Sequence, residues 1–479
     1  MLFNSIEFLI FLPIVFIIYW FILNKNLRLQ NLLLVVASYI FYGWWDWRFL
    51  PMMFFTTLVD YFVGLGLKKW DAKQNKRKWL LGTSIVLNLG LLAFFKYYNF
   101  FIQSFIDAFT FFGQKPNIHT LKILLPVGIS FYTFQTMSYA IDVYYRKLEP
   151  TKDIVSFFAF VSFFPQLVAG PIERATNLLP QFYVKRRFEP DKAYDGLRQM
   201  LWGLFKKIVI ADKCAPFVND IFSHYQDFSG STLLLGAVLF LIQLYCDFSG
   251  YSDIAIGSAR LFGFRLMQNF AFPFFSRNQP ELWRRWHISL TSWFQDYVYF
   301  PLGGSRRGKW IKIRNIFIVF LLSGLWHGAN WTYIFWGFMF AVYLLPSLLN
   351  DHPKPMTKIV AEGKLLPSLK EFFQMTGTFF KVVLVTVFFR VPGFREGFDY
   401  IGTIFSRSLF SMPEVSPEKT FYFIAFFFLA EWLQRDKQHA LEIHHYRIPK
   451  FVRWSFYYVM IIIIIFFGGN QQEFIYFQF

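Results

Sequence analysis

The chain has 479 residues, of which 55% are apolar, 23% aromatic and only 16% charged, against roughly 25% charged in an ordinary soluble domain. So much Phe and Trp has no room inside a water-soluble core, which excludes a soluble globular enzyme and leaves a membrane protein. The formal net charge of +18 invites a nucleic-acid reading, but the Lys and Arg residues gather between apolar runs, where they report topology, and no nucleic-acid partner is expected.

Residues 3 to 23 form a first apolar run of the ~20 residues that a helix needs to cross a hydrocarbon core. No basic stretch precedes it and no small-residue cleavage site follows, so it reads as a retained helix and not a signal peptide. Further apolar stretches centre on 29 to 45, 49 to 67, 79 to 95, 123 to 144, 154 to 169, 232 to 259, 315 to 349, 372 to 390, 419 to 433 and 451 to 468, with weaker ones at 97 to 112, 196 to 212 and 397 to 410. The pattern predicts an all-α polytopic membrane protein of about eleven crossings, with re-entrant or interfacial helices where Gly and Pro interrupt the runs. No hydrophilic stretch is long enough for a separate soluble domain of ~100 residues, so 1–479 reads as one integral membrane domain.

Lys25 and Arg28 follow the first crossing, and Lys68, Lys69, Lys73, Lys76, Arg77 and Lys78 follow the third. Under the positive-inside rule both loops are cytoplasmic and the N-terminus is outside. Arg306, Arg307, Lys309, Lys312 and Arg314 give the same answer further on, as do Lys354, Lys358, Lys364 and Lys370, and then Arg435, Lys437, Arg447 and Lys450. The loop carrying Glu396, Asp399, Glu414 and Glu418 falls outside, as does the C-terminus.

Cys214 and Cys246 make neither a disulfide framework nor a CxxC metal spacing, and read as small buried residues rather than thiol nucleophiles. The polar residues at membrane depth carry more. In SGLWHGANWTY (323 to 333), His327 stands thirteen residues beyond Arg314, about 20 Å into a ~30 Å core. An ionisable group there is a candidate for chemistry, or else it bonds a neighbouring helix, with Ser323, Gly324, Gly328 and Asn330 serving close packing.

Asp247 and Asp253, in CDFSGYSDIAIGSARLFGF (246 to 264), should face a bundle interior or a water-filled cavity. The glycines at 250, 257 and 263 allow close backbone approach or a broken helix. No His or Cys set completes a metal site around these carboxylates, and no metal is expected.

The segment from Glu281 to Trp310 sets His287 among Trp283, Trp286, Trp293, Arg284 and Arg285. This composition fits a helix lying at the membrane interface, with His287 either a plain interfacial side chain or the lining of an entry for a phosphate-bearing donor. His224, His352 and His439 lie in polar loops and read as solvated surface residues.

Six ordered motifs together resemble the membrane-bound O-acyltransferase family: LLPVGISFYTFQTMSYAIDVYY (124 to 145), FFPQLVAGPIER (163 to 174), DFSGYSDIAIG (247 to 257), WRRWHISLTSWFQDYVYFPLGGSR (283 to 306), SGLWHGANWTYIFWG (323 to 337) and the terminal FIYFQF. The likeness runs over the whole chain and is strongest to bacterial members that acetylate alginate and peptidoglycan. It implies an inner-membrane enzyme, folded around a central polar cavity or tunnel, that passes an acetyl group from a cytoplasmic donor, acetyl-CoA, to a polysaccharide outside. An alginate-like acceptor is favoured over peptidoglycan, and a secreted or membrane-anchored partner is implied. His327 matches the family's catalytic histidine and His287 its second site position. Region 350 to 420 is less patterned and is where acceptor or partner choice can differ.

Acyl transfer from a thioester to a hydroxyl needs a base and an oxyanion donor. A neutral imidazole suits the first, so His327 is assigned as general base, with an acetyl-imidazole or an acetyl-Ser323 relay as the covalent alternative. Arg284 and Arg285 are placed near the donor phosphates, Asn330 is the candidate oxyanion donor, and Asp247 and Asp253 are candidate substrate-binding residues. No bound cofactor is expected beyond the donor itself. A transporter or scaffold for an acyl carrier also uses charges at depth and broken helices, but its inverted repeats are not seen here.

The charge pattern predicts that residues 68 to 78 and 305 to 314 face the cytoplasm. Single cysteines at Lys73 and Gly308 should resist membrane-impermeant maleimide in intact cells and react once the cells are opened. Labelling from outside at either position contradicts the assignment.

Overall fold

The computed structural model describes residues 1–113, 118–350, 359–443 and 446–477. His352, Lys354, Lys358 and the last two residues of FIYFQF lie outside them. All regular structure among the described residues is helical, and the contacts divide the chain into two compact units, Met1–Ala193 with Ser258–Met267, and Tyr194–Gly257 with Gln268–Phe479.

The smaller unit contains α1 (Ile6–Ile22), α2 (Leu27–Asp46), α3 (Leu50–Lys69), α4 (Gln74–Leu92), α5 (Tyr98–Phe111), α6 (Ile129–Tyr144) and α7 (Ile154–Ser162). Ser5 and Asn26 start the first two helices by accepting the N–H groups of Phe8 and Leu29, which have no partner within the first turn. The fully buried Asp60 of α3 accepts hydrogen bonds from Ser84 (2.5 Å) and Asn88 (2.9 Å) of α4, and Asn88 in turn accepts one from Thr136 of α6 (3.2 Å). That knot satisfies a carboxylate that an apolar surround would otherwise penalise. Arg77 departs from the loop lysines with which the sequence groups it: it is buried, paired with Asp71 and donating to the carbonyls of Val143 and Tyr144.

In the larger unit, α8 (Pro190–Leu204) runs through a π-helical stretch, Phe205–Ala211, into α9 (Asp212–Ser223). The chain continues through α10 (Gly230–Leu261), the short α11 (Gln279–Trp283) and α12 (Ile288–Phe294), α13 (Lys309–His327), α14 (Trp331–Leu349), α15 (Leu369–Thr386), α16 (Phe394–Ile404), α17 (Glu418–Leu433) and α18 (Lys450–Phe467). α10 is unbroken. A Cβ on Gly250 would fall 2.7 Å from the Gly203 carbonyl oxygen of α8, so this glycine serves close helix approach and not a break.

Six segments among the described residues are long and apolar enough to cross a membrane, and two of them, Leu27–Lys69 and Gln74–Phe111, are each long enough for two passes. Other apolar runs give shorter or more charged helices. The stretch at 154 to 169 yields only the nine-residue α7 before Phe163 leaves the helix, and α17 is 16 residues long. α13 carries Lys309, Lys312 and Arg314 in its own first turns.

α13 and α14 form the hairpin that carries SGLWHG. Gly324 and Gly337 lie where the helices touch, and a Cβ on Gly337 would collide with the Phe320 carbonyl. Gly337→Ala should therefore force the pair apart and cost about 1–3 kcal/mol, as overpacking does. Thermal unfolding in detergent should show a lower midpoint for it, and an equal or slightly higher one for Gly377→Ala on α15, where an added methyl meets nothing within 4 Å and Ala favours the helix.

Candidate active site

His327 is the last residue of α13 and is 3% exposed. The turn after it is tight, since a Cβ on Gly328 would collide with the Tyr333 ring. Asn330 closes the turn: its side chain accepts the Thr332 N–H at the start of α14 (3.1 Å) and donates to the Pro392 carbonyl (3.0 Å).

His287 is 1% exposed and adopts a left-handed backbone, φ 44° and ψ 53°, that L residues with a β-carbon rarely hold. Asn269 holds the two residues that follow it. Its carbonyl accepts the Ile288 N–H (2.9 Å), its side-chain oxygen accepts the Ser289 hydroxyl (2.9 Å), and its amide donates to Ser252 of α10 (3.2 Å).

The two imidazoles share one aromatic cage, with ring centroids 6.2 Å apart. His287 lies 4.7 Å from Phe248, and Trp326 contacts both rings, at 5.8 Å from His287 and 5.0 Å from His327. Trp336 (5.1 Å), Phe389 (5.4 Å) and Tyr476 (5.6 Å) complete the wall around His327. Neither His287 ring nitrogen has a hydrogen-bond partner among the described residues. Burial pushes its pKa down to about 3, so the ring is neutral at physiological pH, with one nitrogen to donate and one to accept.

The WRRWH segment is therefore packed largely within the protein. Trp286 and Trp293 are 7% and 4% exposed, and Trp286 packs on Phe270 and Tyr245. Its charge is neutralised locally: Glu281 pairs with Arg285 (3.0 Å) and with Arg277 (3.0 Å). Burial works to raise the Glu281 pKa, but the Arg277 hydrogen bonds and the neighbouring cations outweigh it and the net direction is down. Arg284 is exposed. Ser323 is buried one turn before His327 on α13.

Asp247 and Asp253 are buried, each facing a lysine that sequence reasoning did not single out. Lys207 lies between Asp247 (2.7 Å) and Asp212 (2.8 Å), while Lys206 pairs with Asp253 (2.7 Å), donates to Ser249 (2.8 Å) and approaches Glu431 (4.0 Å). A narrow polar pocket among Lys206, Ser249, Asp253, Asn269, Glu431 and His439 adjoins this cluster. His439 is a correction to the sequence reading: it is 1% exposed, with Nε2 3.2 Å from Asp195, and not a solvated surface residue. His224 is exposed beside Asp220, and both cysteines are free and buried. Lysines at 206 and 207 and a glutamate at 431, each inside an apolar run, were the available signal for the missed residues, because charges there need partners.

Comparison with known proteins gives a consistent picture. Residues 145–389 match the model of the membrane-bound O-acyltransferase family. The chain is 40% identical over 422 residues, 87% of its own length and 82% of the relative's, to a probable alginate O-acetylase of Pseudomonas putida. It is 34% identical over 448 residues, again 87% and 82%, to the peptidoglycan O-acetyltransferase of Helicobacter pylori. A teichoic acid D-alanyltransferase of Bacillus subtilis is 30% identical over 232 residues, 46% of this chain and 58% of that one.

If Asn269 holds His287 in place, Asn269→Ala should lower turnover about tenfold or more, since small misplacements of reacting groups carry costs of that order. Asn269→Asp, which keeps the acceptor for Ser289, should retain more. Steady-state kinetics at matched protein abundance measures both.

Proposed function

The chain belongs to the membrane-bound O-acyltransferase family and is a multi-pass membrane O-acetyltransferase, and from that premise we propose that it moves an acetyl group from cytoplasmic acetyl-CoA to a polysaccharide outside the cell. The observation that carries the reading is the pair of buried imidazoles with centroids 6.2 Å apart in one aromatic cage. An alginate-like polymer is the favoured acceptor, reached through a secreted or membrane-anchored partner. Peptidoglycan is the alternative, on the 34% identity to the Helicobacter pylori enzyme. The charge pattern supports an arrangement with both termini outside and the donor on the cytoplasmic side.

In this reading the attacking hydroxyl gives its proton to His327 as its oxygen bonds to the acetyl carbon. The carbon–sulfur bond of the thioester then breaks, and the proton passes from His327 to the departing thiolate. Exclusion of water by the aromatic wall protects the thioester from hydrolysis. An acetyl-imidazole, or an acetyl-Ser323, is the two-step form of the same transfer.

The oxyanion needs a donor inside the cage. Asn330 gives its oxygen and one N–H to the turn and is half-buried, whereas His287 is buried inside the cage, neutral, and carries an N–H with no partner among the described residues. His287 is accordingly assigned to the acetyl carbonyl. This replaces a role at the donor entrance. Arg285 holds Glu281, which leaves exposed Arg284 for the donor phosphates.

His327→Ala should cut acetyl transfer by about 10²- to 10⁴-fold with normal membrane abundance. His287→Ala should lower kcat and leave the KM for acetyl-CoA near that of the parent, while Arg284→Ala should raise KM. Purified protein with radiolabelled acetyl-CoA and a soluble acceptor measures all three. Near-normal transfer by His327→Ala contradicts the assignment.

A further inference from the structure

His287 is not alone in burying polar atoms that have no partner. Gln279, the first residue of α11, is 5% exposed, and neither its amide nitrogen nor its oxygen finds a hydrogen-bond partner among the described residues. The indole N–H of Trp283, the last residue of the same helix, is likewise buried and unpaired among them. Other polar groups of this short segment are answered: Asn278 accepts the Glu281 N–H (2.9 Å), and Glu281 takes up Arg277 and Arg285. A buried amide without a partner costs free energy that an apolar side chain of the same shape avoids. Gln279 and Trp283 are one turn apart, so they share one face of α11, about 6 Å from each other along its axis. The Trp283 ring packs at 6.0 Å on Trp336, which packs at 5.1 Å on His327. At the other end Gln279 follows Arg277, whose guanidinium meets Glu371 (3.4 Å) beside Lys364 and Lys370, the side that the charge pattern assigns to the cytoplasm. From that side inward the order is an amide, an indole N–H and the two imidazoles.

A ligand that answers these groups needs its own polar groups at the same interval. A pantetheine arm has them: its two amides are joined by a β-alanyl link of about four bonds, roughly 5 Å when extended, and the sulfur follows the second amide after a similar interval. With its acetyl group between His287 and His327, such an arm brings the amide next to the sulfur to Trp283 and the farther amide to Gln279. We infer that Gln279 and Trp283 are the subsite for the pantetheine arm of the donor, Gln279 donating to and accepting from the farther amide and Trp283 donating to the carbonyl of the nearer one. This subsite deepens the transfer reading and rests on it, since it needs a thioester donor and His327 at the acetyl carbon. Free coenzyme A and acyl carrier proteins present the same arm, and the subsite accepts either.

Shortened donors test the subsite on the purified full-length protein. Acetyl-CoA and S-acetylpantetheine carry both amides, whereas S-acetyl-N-acetylcysteamine keeps only the one next to the sulfur. Gln279→Met, an apolar replacement of like shape, should lower kcat/KM about tenfold or more for the first two donors and leave it within about twofold for the third. Trp283→Phe, which keeps an aromatic ring and drops the N–H, should lower all three by a similar factor. Without donor, the unfolding midpoint of Gln279→Met should equal or exceed that of the parent, because the unpaired amide is gone. The parent's ratio of kcat/KM for acetyl-CoA and for an acetylated carrier protein names the source of the arm, and Gln279→Met should lower both. A loss in Gln279→Met that is equal for the three small donors, or no loss for any, overturns the inference. A parent inert toward every thioester, or an active His327→Ala, overturns instead the transfer reading beneath it.

Discussion

Charge removed from water must be answered by charge or by hydrogen bonds, and in this chain that constraint sets the architecture of the larger unit. Two consecutive lysines each serve two carboxylates: Lys206 with Asp253 and Glu431, Lys207 with Asp212 and Asp247. One ammonium cannot use every lone pair of two carboxylates, so neutral donors take the remainder. Gln199 donates to Asp253 (2.7 Å), Tyr245 to Glu431 (3.0 Å) and the Ile475 N–H to Asp247 (2.7 Å). Through those bonds α8, α10, α17 and the segment after α18 are held to the same two side chains. Removing any one partner would strand a charge inside the protein, a heavier loss than that of a surface pair.

The reacting centre follows the opposite rule. Asp60 in the scaffold is answered by Ser84 and Asn88, while His287 is buried among rings with both nitrogens unbonded among the described residues. A neutral imidazole tolerates this better than a charged group would, and the rings of Phe248 and Trp326 pack against it. The cage thus holds hydrogen-bonding capacity in reserve for a ligand.

Features set by local pattern were legible in the sequence. The apolar runs gave an all-helical membrane protein, and the polar residues within them singled out His327, Asp247 and Asp253, all three of which are buried. Features set by distant partners were not. Nothing near Asp247 announces Lys207, forty residues earlier, and nothing near His327 announces Tyr476. The burial of Arg285 and of the rings around it was not read from WRRWH, although the four-residue spacing of Glu281 and Arg285 already offered that arginine a partner. Apolarity likewise does not distinguish a span from a short helix buried in protein, such as α7.

The π-helical stretch Phe205–Ala211 lets Lys206 and Lys207, neighbours in sequence, address separate charge clusters on one helix. A π turn accommodates one residue more than an α turn. The chain length between α8 and α9 is therefore counted, not arbitrary. Losing a single residue there would restore an α-helical turn with the helix beyond it still in phase, and would change which side chains of the stretch face α10, so that Lys206 and Lys207 could no longer both meet their carboxylates. Homologous chains should accept substitution along this stretch far more readily than any change in its length.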